Sequence, residues 1–105
     1  MTAPHRTHRA DGNQADIVRA MRACGWTVAV LSQVGNGVPD LMVGCCGIDV
    51  WMEVRQPGEA LSMSQTEWHR KWRGSPVFVV TSVDDAVRVV NSEIKRRCWS
   101  RGGGT

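Results

Sequence analysis

The chain has 105 residues, 42% of them apolar and 22% charged, the usage of one globular domain with a modest core, which excludes wholesale disorder. No stretch supplies the roughly 18 consecutive apolar residues of a membrane span, and the opening residues Met1 to Arg6 contain no apolar signal core, so a small soluble cytoplasmic protein is expected. A net charge of +3, from 13 basic and 10 acidic residues, permits a nucleic-acid partner without demanding one.

Eleven of the basic residues are arginines, against Lys71 and Lys95. Arginine presents a planar fork suited to phosphate, although a GC-rich genome produces the same bias. Cys24, Cys45, Cys46 and Cys98 form no C-x-x-C pair, and no histidine lies at a finger-like distance from them. Neither zinc nor a disulfide scaffold is expected, and the thiols read as packing groups.

In chain order, residues 1–11 read as a flexible basic arm, 12–98 as the single folded domain and 99–105 as a disordered tail. Ile17, Met21 and Cys24 recur at helical spacing, so residues 13–24 are predicted to form a helix stopped by Gly25. Three strands follow. The first is Thr27 to Leu31. The second, Asp40 to Val43, is entered through Gly35-Asn36-Gly37 and Pro39. The third, Asp49 to Arg55, is reached by a hairpin across Gly44-Cys45-Cys46-Gly47. In this third strand Val50, Met52 and Val54 alternate with Asp49, Trp51, Glu53 and Arg55.

Ser64-Gln65-Thr66-Glu67 reads as a capping box opening a helix to about Trp72. Val77 to Thr81 is apolar throughout, as in a strand buried on both faces. The last helix starts near Ser82, has Asp84 and Asp85 in its first turn and buries Val83, Val87, Val90 and Ile94. The order α-β-β-β-α-β-α predicts an α/β fold with a mixed four-stranded sheet flanked by helices.

Chemistry concentrates on Asp40, Glu53 and Arg55. Glu53 and Arg55 share a strand face about 7 Å apart at roughly 3.3 Å per residue. If the second and third strands form a hairpin, Asp40 comes beside Glu53. Two converging carboxylates make a hard-oxygen site of the kind Mg²⁺ prefers, and an adjacent arginine faces developing negative charge on a phosphate. The competing reading is a solvated strand face, with an ion pair worth no more than about 1 kcal/mol.

The arrangement Gly37-Val38-Pro39-Asp40-Leu41, a hairpin, Met52-Glu53-Val54-Arg55 and then Gln65 at the next helix resembles the PD-(D/E)XK nuclease superfamily. Within it, the chain is most similar to the virus-type replication-repair nucleases, the VRR-NUC family, and their phage-borne Holliday-junction-resolvase-like members. The likeness spans about residues 13–90. It implies the restriction-endonuclease-like α-β-β-β-α-β core with a C-terminal helix, and a metal-dependent endonuclease acting on branched or structured DNA.

The resemblance further implies Mg²⁺ or Mn²⁺ held by Asp40, Glu53 and the backbone carbonyl of Val54, with Asp16 as an added acid and Gln14 as its neighbour. Asp16 reads equally as a solvated first-turn acid. Gln65 would stand at the mouth of the site. Arg55 replaces the family's lysine, and because arginine stays protonated it can hold charge but cannot act as a base. DNA contacts are expected from Gln14, Arg70, Lys71, Arg73 and, in the arm, Arg6 and Arg9, with the Lys95-Arg96-Arg97 run further out or simply solvated. Such stand-alone nucleases tend to be homodimers in a bacterial or phage-infected cell. The alternatives are a catalytically disabled relative that binds DNA or a host protein, and an unrelated α/β domain with two surface acids. His69 reads as a surface histidine, and Trp68 and Trp72 as packing residues four apart on one helix face.

Overall fold

The structure, a computed structural model, describes residues 3–99, with side chains over residues 12–98. Helix α1 (Ala3–Ala23) leads into strands β1 (Thr27–Val30), β2 (Leu41–Cys45) and β3 (Ile48–Val54), which pair as an antiparallel meander. Helix α2 (Met63–Lys71) then crosses over to β4 (Val77–Val80), which lies parallel to β3. Helix α3 (Val83–Glu93) continues into a π-helical turn, Ile94–Trp99. The sheet order β1-β2-β3-β4 is the expected mixed four-stranded sheet with helices on it. No helix among the described residues is long and apolar enough to cross a membrane.

The sheet is covered differently on its two faces. Val43, Val50, Met52 and Val54 lie on one face with Ile17, Met21, Ala86 and Val90, the apolar stripes of α1 and α3, and these residues form the buried core. The other face of β3 carries Trp51 and Glu53 and meets α2. No residue of α2 is fully buried. Its hold on the sheet is aromatic: Trp68 stacks on Trp72 with ring centroids 4.6 Å apart, and both meet Trp51 edge-on at 5.3 and 5.4 Å.

Several predicted boundaries move. α1 begins at Ala3, so helical backbone extends through the stretch expected as an arm, while the side chains of Arg6 and Arg9 lie outside the described residues, as does the tail from residue 100. The β2–β3 hairpin turns on Cys46 and Gly47, both with positive φ, so Gly44 and Cys45 belong to β2. β4 is an edge strand with Val79 45% exposed, not one buried on both faces. In α3 the fully buried residues are Ala86, Val90 and Glu93, whereas Val83 and Val87 are half-buried. The cap of α2 is Ser62, two residues before the expected one, and Gln65 is its N3 partner.

Candidate functional site

The hairpin register builds the site. Leu41 pairs with Met52, so the next step of the antiparallel ladder sets Asp40 against Glu53 where the strands end. Asp40 continues the sheet: its carbonyl accepts from the Leu31 N–H at 2.7 Å. Its side chain replaces the missing ladder bond, Oδ2 accepting from the Val54 N–H at 2.9 Å. In a strand the N–H and C=O of one residue point to the same edge, so the Val54 carbonyl also faces Asp40. The Arg55 N–H points the other way and donates to Val80 O at 2.9 Å, tying this end of β3 to β4.

Glu53 is fully buried although it lies on the face opposite the apolar core. Three side chains surround its carboxyl group. Arg55 Nη2 lies 3.2 Å and Gln65 Nε2 3.0 Å from Oε2, and His69 Nε2 lies 3.3 Å from Oε1. Gln65 is used twice, because its Oε1 accepts from the Ser62 N–H at 2.8 Å in the capping box while its amide reaches Glu53. The helix cap therefore fixes the angle at which α2 meets the acid. His69, four residues on, comes to the same face as Gln65.

Gly37 locks the loop that carries Asp40 to this helix. It is buried with φ +83°, and a Cβ there would overlap the carbonyl of Ser64. The close approach to this glycine loop is therefore made by the N-terminal end of α2.

Burial, and then the hydrogen bonding and negative charge of the adjacent Asp40 carboxyl, push the Glu53 carboxyl up to about 8, against the opposing pull of Arg55. Loss of water and the Arg55 charge push the His69 imidazole below its usual range, which favours the neutral ring at its contact with Glu53.

Of the residues singled out from sequence, Asp40, Glu53, Val54, Arg55 and Gln65 come together. Gln14 reaches the same end of the sheet, its Nε2 3.3 Å from the hydroxyl of Ser32, the neighbour of Leu31. Asp16 instead lies on the exposed side of α1, ion-paired with Arg19. Arg70 and Lys71 both pair with Glu67 on the outer side of α2, and Arg73 is exposed just beyond it. In the basic run, Arg96 and Arg97 hold the buried Glu93. His69 is the site residue that sequence reasoning passed over. Its i+4 spacing from Gln65, with Trp68 and Trp72 anchoring the same helix, was the available signal.

The donor atoms fit a divalent cation in kind. Mg²⁺ and Mn²⁺ take hard oxygens, and this corner offers two carboxylates and a carbonyl. Among the described residues no group of three or more His, Cys, Asp or Glu side chains is placed so that it could hold a metal ion. Two of these oxygens already carry a cation, since Arg55 Nη1 donates to Val54 O at 2.9 Å and Nη2 to Glu53 Oε2. Compared with protein-family models, curated proteins and solved structures, the chain matches none.

Proposed function

We propose that the protein is a metal-dependent endonuclease that hydrolyses phosphodiester bonds in branched or structured DNA, in the manner of a Holliday junction resolvase. The observation that carries this reading is the meeting of Asp40, Glu53 and the Val54 peptide at one end of the sheet, with Arg55 and Gln65 on the same carboxyl group. Asp40, Glu53 and the Val54 carbonyl would hold Mg²⁺ or Mn²⁺. When bound, such an ion polarises a phosphate and lowers the pKa of a water.

The remaining roles belong to the chain. The Val54 N–H holds Asp40 in place, and Gln65 and His69 keep the Glu53 carboxyl oriented. Arg55 supplies permanent positive charge for a phosphate oxygen and cannot take up a proton. Arg73 and the exposed cations around α2 would position DNA through its phosphates, which favours recognition by shape over base sequence. A homodimer would place two such sites on symmetric strands.

Cleavage of labelled four-way junctions, flaps, single strands and linear duplexes, with Mg²⁺, Mn²⁺ or EDTA, tests the proposal. Metal-dependent cutting that Asp40→Ala abolishes is the expected result, with the preferred substrate read from the panel. Cutting that survives EDTA, or Asp40→Ala, removes the reading.

The guanidinium seated on Glu53 and Val54 favours one second reading, a disabled relative that binds DNA or a host protein without cutting. A native chain that is inert, and that Arg55→Lys makes active, would select it.

A further inference from the structure

The residue that departs from the resembled nuclease pattern sits on the site's own oxygens. Arg55 folds back on its own strand, one nitrogen on the carbonyl of Val54 at 2.9 Å and another on the carboxylate of Glu53 at 3.2 Å. A guanidinium can bridge two oxygens in this way because its donors form a planar fork, whereas a lysine ammonium is a single point charge. The side chain is only 15% exposed.

We propose that Arg55 is the resident cation of this site: its guanidinium occupies the place between the Glu53 carboxylate and the Val54 carbonyl that a divalent ion needs, so metal enters only by displacing it. This inference rests on the reading of Asp40, Glu53 and Val54 as metal ligands. Two cations cannot hold the same pair of oxygens at contact distance without strong repulsion in a poorly hydrated pocket. The bound position is also imperfect, since Arg55 Nε is buried without a hydrogen-bond partner, a loss that ends when the side chain swings away. The main chain need not move, because the Arg55 N–H stays on Val80. The displaced guanidinium becomes a free donor for a phosphate oxygen. Metal binding and phosphate binding are thereby coupled through one side chain.

Mn²⁺ titrations followed by electron paramagnetic resonance test this in the native chain, Arg55→Gln and Arg55→Lys, each alone and combined with Asp40→Asn. Thermal unfolding confirms that each variant is folded. Arg55→Gln should bind Mn²⁺ at least about tenfold more tightly than the native chain, because a full positive charge has left the site. Arg55→Lys should fall between the two, and Asp40→Asn should remove the gain. Equal or weaker binding by Arg55→Gln, with Asp40→Asn still abolishing it, overturns the inference and leaves the metal-site reading standing. No binding by any of these proteins overturns both. A second readout requires no substitution at Arg55: its Nε–H resonance in the native chain should shift on addition of Mg²⁺. A resonance that stays fixed while Mg²⁺ binds overturns the displacement.

Discussion

Two buried glutamates, Glu53 at the end of β3 and Glu93 at the end of α3, are both met by arginine, yet their surroundings have little else in common. Glu93 receives Arg96 and Arg97 from the next turn of its own helix, at 2.8 to 3.2 Å, and Arg97 reaches on to the carbonyl of Asp49 at 2.8 Å. Two positive charges answer one negative charge, and the arrangement clamps the C-terminal turn to the start of β3. Glu53 receives one arginine, an amide and a neutral-leaning histidine while a second carboxyl group presses on it. Stability would be better served by removing one of those acids. Keeping both acids together, one of them fully buried, is the arrangement that the proposed cation site would require.

The most damaging substitution should strike the Glu53 side without touching its carboxyl group. Gly37→Ala puts a Cβ into the Ser64 backbone and forces a non-glycine residue to φ +83°, so a loss of about 3 kcal/mol or more is expected in urea unfolding. Because the loop and α2 part together, Asp40 and Gln65 should both leave Glu53. Native stability in this variant would mean that the loop does not pack on the helix.

Glu93→Gln comes next. The variant leaves two guanidiniums facing a neutral amide, and because Arg96 stands 61% exposed, water recovers part of the loss. A decrease of about 1–3 kcal/mol is expected, with DNA cleavage and Mn²⁺ affinity of the folded protein unchanged. A change in either activity would join the two glutamates into one functional unit and end the contrast.

The contrast was only half legible in the sequence. Period-two alternation in β3 and the glycine-rich turns placed the hairpin and brought Asp40 near the end of β3. A turn over residues 44–47 would set Asp40 against Trp51, however, and it is the tighter turn at Cys46 and Gly47 that shifts the register by two and pairs it with Glu53. The Glu93 clamp was hidden, since residues 95–97 read as outer phosphate contacts or as a solvated basic run, and nothing local says that Glu93 is buried. His69 was hidden for the same reason. A polar residue on a short helix without an apolar stripe reveals its inner face only when a tertiary anchor, here the three tryptophans, sets the rotation. Ser64 drew the cap because Glu67 stands three residues on, but Ser62 with Gln65 satisfies the same Ncap-to-N3 spacing two residues earlier, and that is the box that forms.

Glu53→Gln should invert the Glu93 result. A glutamine keeps the shape and can donate to Asp40, so removing the acid relieves a crowded pair, and stability should stay within about 1 kcal/mol of native or rise. Metal-dependent cleavage and Mn²⁺ binding should both be lost. A large loss of stability would class Glu53 with Glu93 as a structural acid.

The smallest expected effect, a pH slope, probes the acid pair most directly. The folded chain holds the Glu53 proton up to about 8, while the unfolded chain releases it near the ordinary 4.5. Proton binding by the folded state therefore adds stability that is complete below 4.5 and is lost as pH rises through about 8. His69 acts in the opposite sense: its lowered value removes stability as pH falls below its ordinary 6.5. Urea unfolding in EDTA across this window should show native stability declining toward the alkaline end, and Glu53→Gln should remove that decline while leaving the histidine limb. If native and Glu53→Gln profiles run parallel instead, Glu53 ionises as readily folded as unfolded. Neither the burial of Glu53 nor the crowding of Asp40 would then have energetic weight, and the difference between the two buried glutamates would be one of geometry alone.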